Sequence, residues 1–345
     1  MFSSLFHHKK KTESVILIDI SASSVAGAYV WYVKDEIPAV LYTRRFPIEM
    51  RKDEPQEQAM LRALKVLGDT LIREGAPAFA RVSGSGTADA ILVSIDAPWQ
   101  NTSVRTEHIE QKEPFIFSKH LVTELVEKTN PKALGKLLVD ESIISTLLNG
   151  YETRDPYGKK VLRASVIILT SFIDEHVADR IAATLRSLFH TTRIVPIAGS
   201  SLRYQALRIA FPHEHDVLIL DTAESFISVA LVRKNLFVAL AEISSTDDDH
   251  RQWVEKVLNE FSVIAKEYPL PRIIFLLARE SDISSLQQAL GAGNFGELWL
   301  SESPPKIIPV LANHIAGLVR QATTAPPDLQ LLLMALFYHH RAPKE

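Results

Sequence analysis

Two aspartates of this 345-residue chain, Asp19 and Asp221, stand where chemistry could begin. Each ends a short apolar run (residues 15–19 and 217–221), and each is followed by a polar turn and a second apolar run (25–33 and 227–232). An aspartate at a strand end caps the adjoining turn. Other patterns carry less. Gly291 to Gly296 satisfies G-x-G-x-x-G, but that fingerprint must follow a strand and open a helix. Here it follows a helix, so its glycines end that helix and turn the chain. The run Asp247, Asp248, Asp249, His250 precedes a helix, where acids suit the positive end of the helix dipole. His213, Glu214 and His215 lie in a loop without spaced partner ligands. Asn101-Thr102-Ser103 fits a glycosylation sequon, but no secretory segment accompanies it. No zinc-protease, Walker A, nucleophile-elbow or EF-hand pattern occurs. Neither a catalytic constellation nor a metal site is expected.

Composition narrows the classes further. Zero cysteine excludes disulfides, thiolate nucleophiles and cysteine metal sites. A net charge of -3, from 38 basic against 41 acidic residues, gives no pull toward nucleic acid. Average usage would give roughly 24 glycines; the chain has 13, a shortage that disfavours backbone phosphate cradles. No apolar run spans a bilayer, so a soluble, cytoplasmic protein is expected. Residues 1–11, with Phe2, Leu5, Phe6 and three lysines, read as a disordered tail or a weak surface anchor.

Apolar runs alternate with helical patterns, the mark of α/β architecture. Residues 15–19 and 25–33 form a hairpin, and 40–46 a third strand. Residues 56–73 form a helix ended by Gly75 and Pro77; a loop over 81–89 and a strand at 91–95 follow. A helix (118–128) and two strands (143–153 and 162–170) then complete a strand–helix–strand–strand order over 91–170. Helix 174–189, strand 193–196 and helix 200–210 lead to the second hairpin, so one pattern occurs twice, about 200 residues apart. Strand 236–243, helix 249–268, strand 273–277, helix 281–290, strand 297–300 and two helices ending near His340 finish the chain.

Paired hairpins, each led by an aspartate, resemble the actin-like ATPase superfamily, and the local match is similar to its PilM/FtsA branch. Asp19-Ile20-Ser21-Ala22-Ser23-Ser24-Val25 resembles that branch's first phosphate motif, Asp-Ile-Gly-Thr-Ser-Ser-Val. The inserted subdomain resembles the branch's extra subdomain, and the Asn149-Gly150-Tyr151 and Asp155–Gly158 turns resemble FtsA there. The resemblance implies a duplicated actin-like (ribonuclease H-like) α/β fold. Residues 13–90 and 171–213 would form the first subdomain, 91–170 the insertion, and 214–340 the second, its outer part reduced. It also implies that Asp19, Ser21, Ser23, Ser24 and Asp221 would hold any nucleotide. In active relatives the two hairpin turns face each other across a cleft, and such acids help to hold Mg²⁺ through water.

The sequence departs from the family at three places. The second phosphate motif, Asp-Ile-Gly-Gly-Gly-Thr-Thr-Asp in ATP-binding members, reads Asp221-Thr222-Ala223-Glu224-Ser225-Phe226-Ile227-Ser228, with no glycine and with a carboxylate where polyphosphate would sit. The adenosine motif has Ala278-Arg279-Glu280 in place of glycines, and between Ile243 and Ile273 little exceeds one helix. The expected function is therefore a non-catalytic, PilM-like scaffold without ATP or Mg²⁺. It would dock the cytoplasmic tail of an inner-membrane protein in a pilus or secretion platform, in a groove between the first and inserted subdomains. Trp99, Tyr151, Arg154 and Tyr157 are its candidate contacts. Self-association is a further expected contact; an FtsA-like division scaffold and an active ATPase or kinase are the alternatives.

Overall fold

The structure, a computed structural model, describes residues 12–129, 135–153, 155–222, 226–244, 250–293, 295–299 and 304–341. Its elements run β1 (Thr12–Ile20), β2 (Ser24–Val33), β3 (Ala39–Pro47), α1 (Gln56–Thr70), α2 (Ala76–Ser83), β4 (Ala90–Ile95), β5 (Gln100–Ile116) and α3 (Lys119–Thr129). The chain continues through β6 (Lys136–Leu148), β7 (Tyr151–Glu152), β8 (Lys160–Asp174), α4 (Glu175–Phe189), β9 (Ile194–Ala198) and α5 (Gly199–Ala210). Then follow β10 (Val217–Asp221), β11 (Phe226–Arg233), β12 (Leu236–Ser244), α6 (His250–Ala265), β13 (Ile273–Leu277), α7 (Ile283–Gly291), β14 (Lys306–Pro309), β15 (Arg320–Gln321) and α8 (Leu329–His340). Contacts gather these into two units, one of Met1–Ser94, Asp179–Pro196 and Ala312–Glu345, the other of Ile95–Ala178 and Ile197–Leu311.

The repeat read from the sequence is a repeat of topology. The six-stranded sheet has the order β15-β3-β2-β1-β4-β9, and the five-stranded sheet the order β12-β11-β10-β13-β14. Leaving out two-residue β15, each half reads third, second, first, fourth, fifth strand. In the first unit both faces of the sheet are covered, which is why residues 15–18 are an unbroken apolar run, each at most 1% exposed. Tyr29 and Trp31 on one face of β2 meet Phe79 of α2. Tyr32 on the other face donates to the Ala335 carbonyl of α8. Residues 330–337 of α8 are all buried, the pattern of a helix packed on every side. Among the described residues no helix is long and apolar enough to cross a membrane.

In the second unit α6 and α7 pack on the five-stranded sheet through Trp253, Val257, Phe261 and Leu286. A four-stranded sheet, β5-β8-β6-β7, carries α3 on a separate core of Phe117, Val122, Val166 and Ile168. The inserted strand–helix–strand–strand order thus begins at β5, while residues 90–95 belong to the six-stranded sheet. Strand β5 escapes a pattern search because it is an edge strand with mostly solvated side chains. Lysine, Pro114 and a register shift between Glu110 and Phe115 blunt that edge.

Three other expectations change. The helix over 56–73 does not stop at Gly75: a π-helical turn (Leu71–Gly75) passes directly into α2. Pro77 sits in the first turn of α2, immediately after that π-helical turn. Gly75 is there for space, since a Cβ would come within 2.7 Å of the Tyr29 ring. Residues 296–298 form a 3₁₀ turn in place of a strand, because Trp299 turns inward and donates to the Pro271 carbonyl at 2.7 Å. The fifth strand of that sheet is β14, paired in parallel with β13. One of the two final helices is a short 3₁₀ turn at Ala312–Ile315 followed by β15.

Candidate functional site

Asp19 and Asp221 lie at matching points of the two hairpins, and cross-strand register defines what surrounds each. In the first sheet Asp19 pairs with Ala26, which pairs with Arg45, so the three side chains share one face in a row. The small Ala26 lets Arg45 reach over it. One Arg45 nitrogen donates to Asp19 Oδ2 at 3.0 Å, and another to the Ser24 hydroxyl at 2.7 Å. The same guanidinium forks onto Asp328 at 2.8 and 3.0 Å. Asp328 in turn caps α8, accepting from the Leu331 amide. Ser21 is fully buried, and its hydroxyl accepts from the Ser24 amide and contacts the Ser24 hydroxyl, closing the turn. Ser23 gives its carbonyl to the Ile48 amide.

In the second sheet Asp221 pairs with Ser228 and Ser228 with Glu242, the same row one repeat later. The far position carries an acid here, and the cation comes from α5. Arg203 forks onto Asp96 at 2.7 and 3.0 Å and reaches Asp221 Oδ2 at 2.5 Å. All three side chains are nearly buried, 10–13% exposed. Asp96 lies against the start of α5, where a Cβ on Gly199 would fall 2.0 Å from its Oδ1. The helix N-terminus, with its free amides and positive dipole end, is therefore filled by a carboxylate of the chain itself. Gln100 donates to Glu242 Oε1. Burial first, then the Asp96 charge, pushes the Glu242 carboxyl up to about 7, against the opposing pull of Gln100 and Arg203.

A Mg²⁺–polyphosphate would need these carboxylates open to metal-bound water and backbone amides open to phosphate. Here guanidinium groups engage Asp19 and Asp221, serine hydroxyls close the first turn, and Thr222 spends its amide and hydroxyl on the Leu277 carbonyl. The described residues of each unit thus satisfy these groups from within the same unit. Among them, no group of three or more metal-ligating side chains is arranged to hold an ion. Ala223, Glu224, Ser225 and the Asp247–Asp249 run lie outside the described residues, as does the N-terminal tail. In the adenosine-motif position Ala278 is buried, and Arg279 follows β13 as an exposed residue.

The candidate contact residues are placed differently from one another. Trp99 is buried, its amide donating to Asp96 and its carbonyl accepting from Asp174. Tyr151 on β7 is 79% exposed. Tyr157 stacks on Phe117, with the Lys119 ammonium 5.6 Å from its ring centre. Arg154 lies outside the described residues. Reading the sequence missed Arg45, Asp96, Arg203, Glu242 and Asp328. Only an alignment of the two repeats by strand register would have shown Arg45 and Glu242 as counterparts.

No family model and no curated protein matches the sequence. Solved structures do match the fold. A chain of a PilM-PilN type IV pilus biogenesis complex superposes with a TM-score of 0.59 at 14% identity, over 94% of this chain and 96% of that one. A protein of actin-like ATPase fold and unknown function from Bacteroides thetaiotaomicron gives 0.46 at 8% identity, over 87% and 92%. The ethanolamine utilization protein EutJ from Carboxydothermus hydrogenoformans gives 0.43 at 11% identity, over 94% and 89%. With the duplicated strand order, the first of these shows the architecture: the chain has an actin-like α/β fold carrying an inserted strand–helix–strand–strand subdomain.

Proposed function

We propose that this chain is a non-catalytic scaffold of actin-like fold, working at the cytoplasmic face of a bacterial inner membrane. It docks the cytoplasmic tail of a membrane partner in a pilus or secretion platform. The observation that carries the reading is the likeness to the PilM-PilN complex along almost the whole of both chains. Support for the non-catalytic half comes from the two arginines. Each occupies the hairpin aspartate that active relatives would turn to metal and phosphate. Tyr151 and Tyr157, exposed on the inserted subdomain, offer aromatic surface of the kind that anchors a peptide. Arg154 is proposed to complete that contact; Trp99, buried beside Asp174 at the other end of β8, lies apart from it.

Calorimetric titration of the purified protein with Mg²⁺-ATP tests the first half. No heat of binding is expected at nucleotide concentrations up to about 1 mM, where ordinary sites saturate. Micromolar binding would overturn the reading. Pull-down with synthetic cytoplasmic tails of the host's own pilus-platform and division membrane proteins tests the second half. Capture by the pilus-platform tail alone is expected, and capture by the division tail alone would replace this reading with a division scaffold.

A further inference from the structure

The second unit holds three carboxylates around one guanidinium, and the excess acid lies on a seam between two sheets. Asp96 and Asp221 share Arg203 directly. Glu242 stands two strands from Asp221 in the same row, with Ser228 between them. Its hydrogen-bond partner is Gln100, the first residue of β5 in the inserted sheet. Gln100 is held in one orientation: its Oε1 accepts from the Thr102 hydroxyl at 2.8 Å, so its NH₂ must point at Glu242. Thr102 is itself fixed by the Ser200 hydroxyl of α5 at 3.0 Å and by Ser171 of β8 at 2.9 Å. The path Ser200–Thr102–Gln100–Glu242 thus ties α5 and the inserted sheet to β12.

Charges reach Glu242 from each packed element in a definite way. Arg203 of α5 attracts its ionised form, while Asp96, after β4, and Asp221 of β10 repel it. From β6, Asp140 accepts from Ser201 and Glu141 pairs with Arg105 of β5. From β11, the row neighbour is the uncharged Ser228. The strand neighbours Ala241 and Ile243 point through the sheet into the apolar core beneath α6.

We propose that Glu242 and Gln100 form a proton-operated latch, which holds the inserted sheet against β12 when Glu242 is protonated and releases it when Glu242 ionises. The protonated carboxyl keeps an oxygen to accept from Gln100 and adds no charge to the Asp96–Arg203–Asp221 group. Ionised, it makes a third carboxylate on a single guanidinium in a half-buried place. The open form returns Glu242 to water and its ordinary value of 4.5. Closing therefore takes up a proton, and the closed form weakens as pH rises through about 7. In this protein the latch couples local proton concentration to the mobility of its inserted subdomain.

Hydrogen exchange of the full chain between pH 6 and 8.5, expressed as protection factors to remove intrinsic rates, reads the latch. Protection of residues 236–244 and of the first half of β5 is expected to fall at least about threefold across a midpoint near 7. Glu242→Gln, which cannot ionise, should stay protected throughout. Gln100→Glu adds an acid at the seam and should move the midpoint upward. A flat wild-type profile, or one that Glu242→Gln reproduces, overturns the proposal. If Glu242→Gln folds poorly, the Gln100→Glu midpoint still decides: an unmoved midpoint overturns the proposal as well.

Discussion

The two halves of the molecule solve the same electrostatic problem with opposite hardware. Each hairpin aspartate meets an arginine, and each arginine forks onto a second aspartate at the start of a helix. In the first half the set is Asp19, Arg45 and Asp328 at α8; in the second it is Asp221, Arg203 and Asp96 at α5. The difference lies in the third-strand position of the row. Arg45 supplies the counter-charge from within the sheet, while its counterpart Glu242 adds another acid and leaves neutralisation to a helix. Duplication kept the strand order and the need for a cation, and freed the source of that cation. A row that closes on itself is self-sufficient; a row ending in like charge depends on a distant helix and on a proton.

Removing Arg203 should separate the halves most sharply. Arg203→Ala leaves Asp96 and Asp221, both nearly buried, without the guanidinium they share. Urea unfolding should show a loss of about 3–5 kcal/mol, the usual cost of breaking a buried pair from one side. A loss below about 1 kcal/mol would mean that water already reaches these carboxylates. Arg45→Ala should cost less, about 1–3 kcal/mol, because that side chain is 28% exposed and water can replace part of its fork. Its loss should appear first in α8, whose capping residue Asp328 is half of the fork. Equal losses for the two variants would break the contrast drawn between the halves.

How far the sequence disclosed this arrangement depends on the range of each interaction. The hairpins, the strand-end aspartates and most helices follow from local periodicity, because apolar spacing within ten residues decides which face is buried. The inserted sheet was legible from α3 onward, where Val122, Val166 and Ile168 build a core. Its edge strand β5 was not, since a solvated edge carries no apolar alternation. Arg45, Arg203, Asp96 and Asp328 were illegible for a different reason. Arg45 and Asp328 lie 283 residues apart, and Arg203 and Asp96 lie 107 apart, so no spacing rule joins them. Glycine scarcity at the nucleotide motifs speaks only to how closely backbone could approach a phosphate. It could not show that arginine fills the role of counter-cation there.

The middle of the row gives the smallest effect and isolates what its ends do. Ser228→Ala makes the second row read Asp–Ala–Glu, matching Ala26 in the first. A partly exposed serine lost from a strand should change stability by no more than about 0.5 kcal/mol at pH 6. The pH dependence should survive intact. With Glu242 raised in the folded state, the unfolded chain binds fewer protons between 4.5 and about 7, so stability falls as pH rises through that window and then levels. Wild type and Ser228→Ala should therefore lose stability in parallel from pH 5 to pH 8, by urea unfolding at each pH. The first row adds nothing to that slope through Arg45, because a guanidinium keeps its charge throughout. If Ser228→Ala removes the slope, the hydroxyl between the acids sets the titration, and the contrast between the rows lies in Ala26 against Ser228. If the slope persists, it lies where the register puts it, in Arg45 against Glu242.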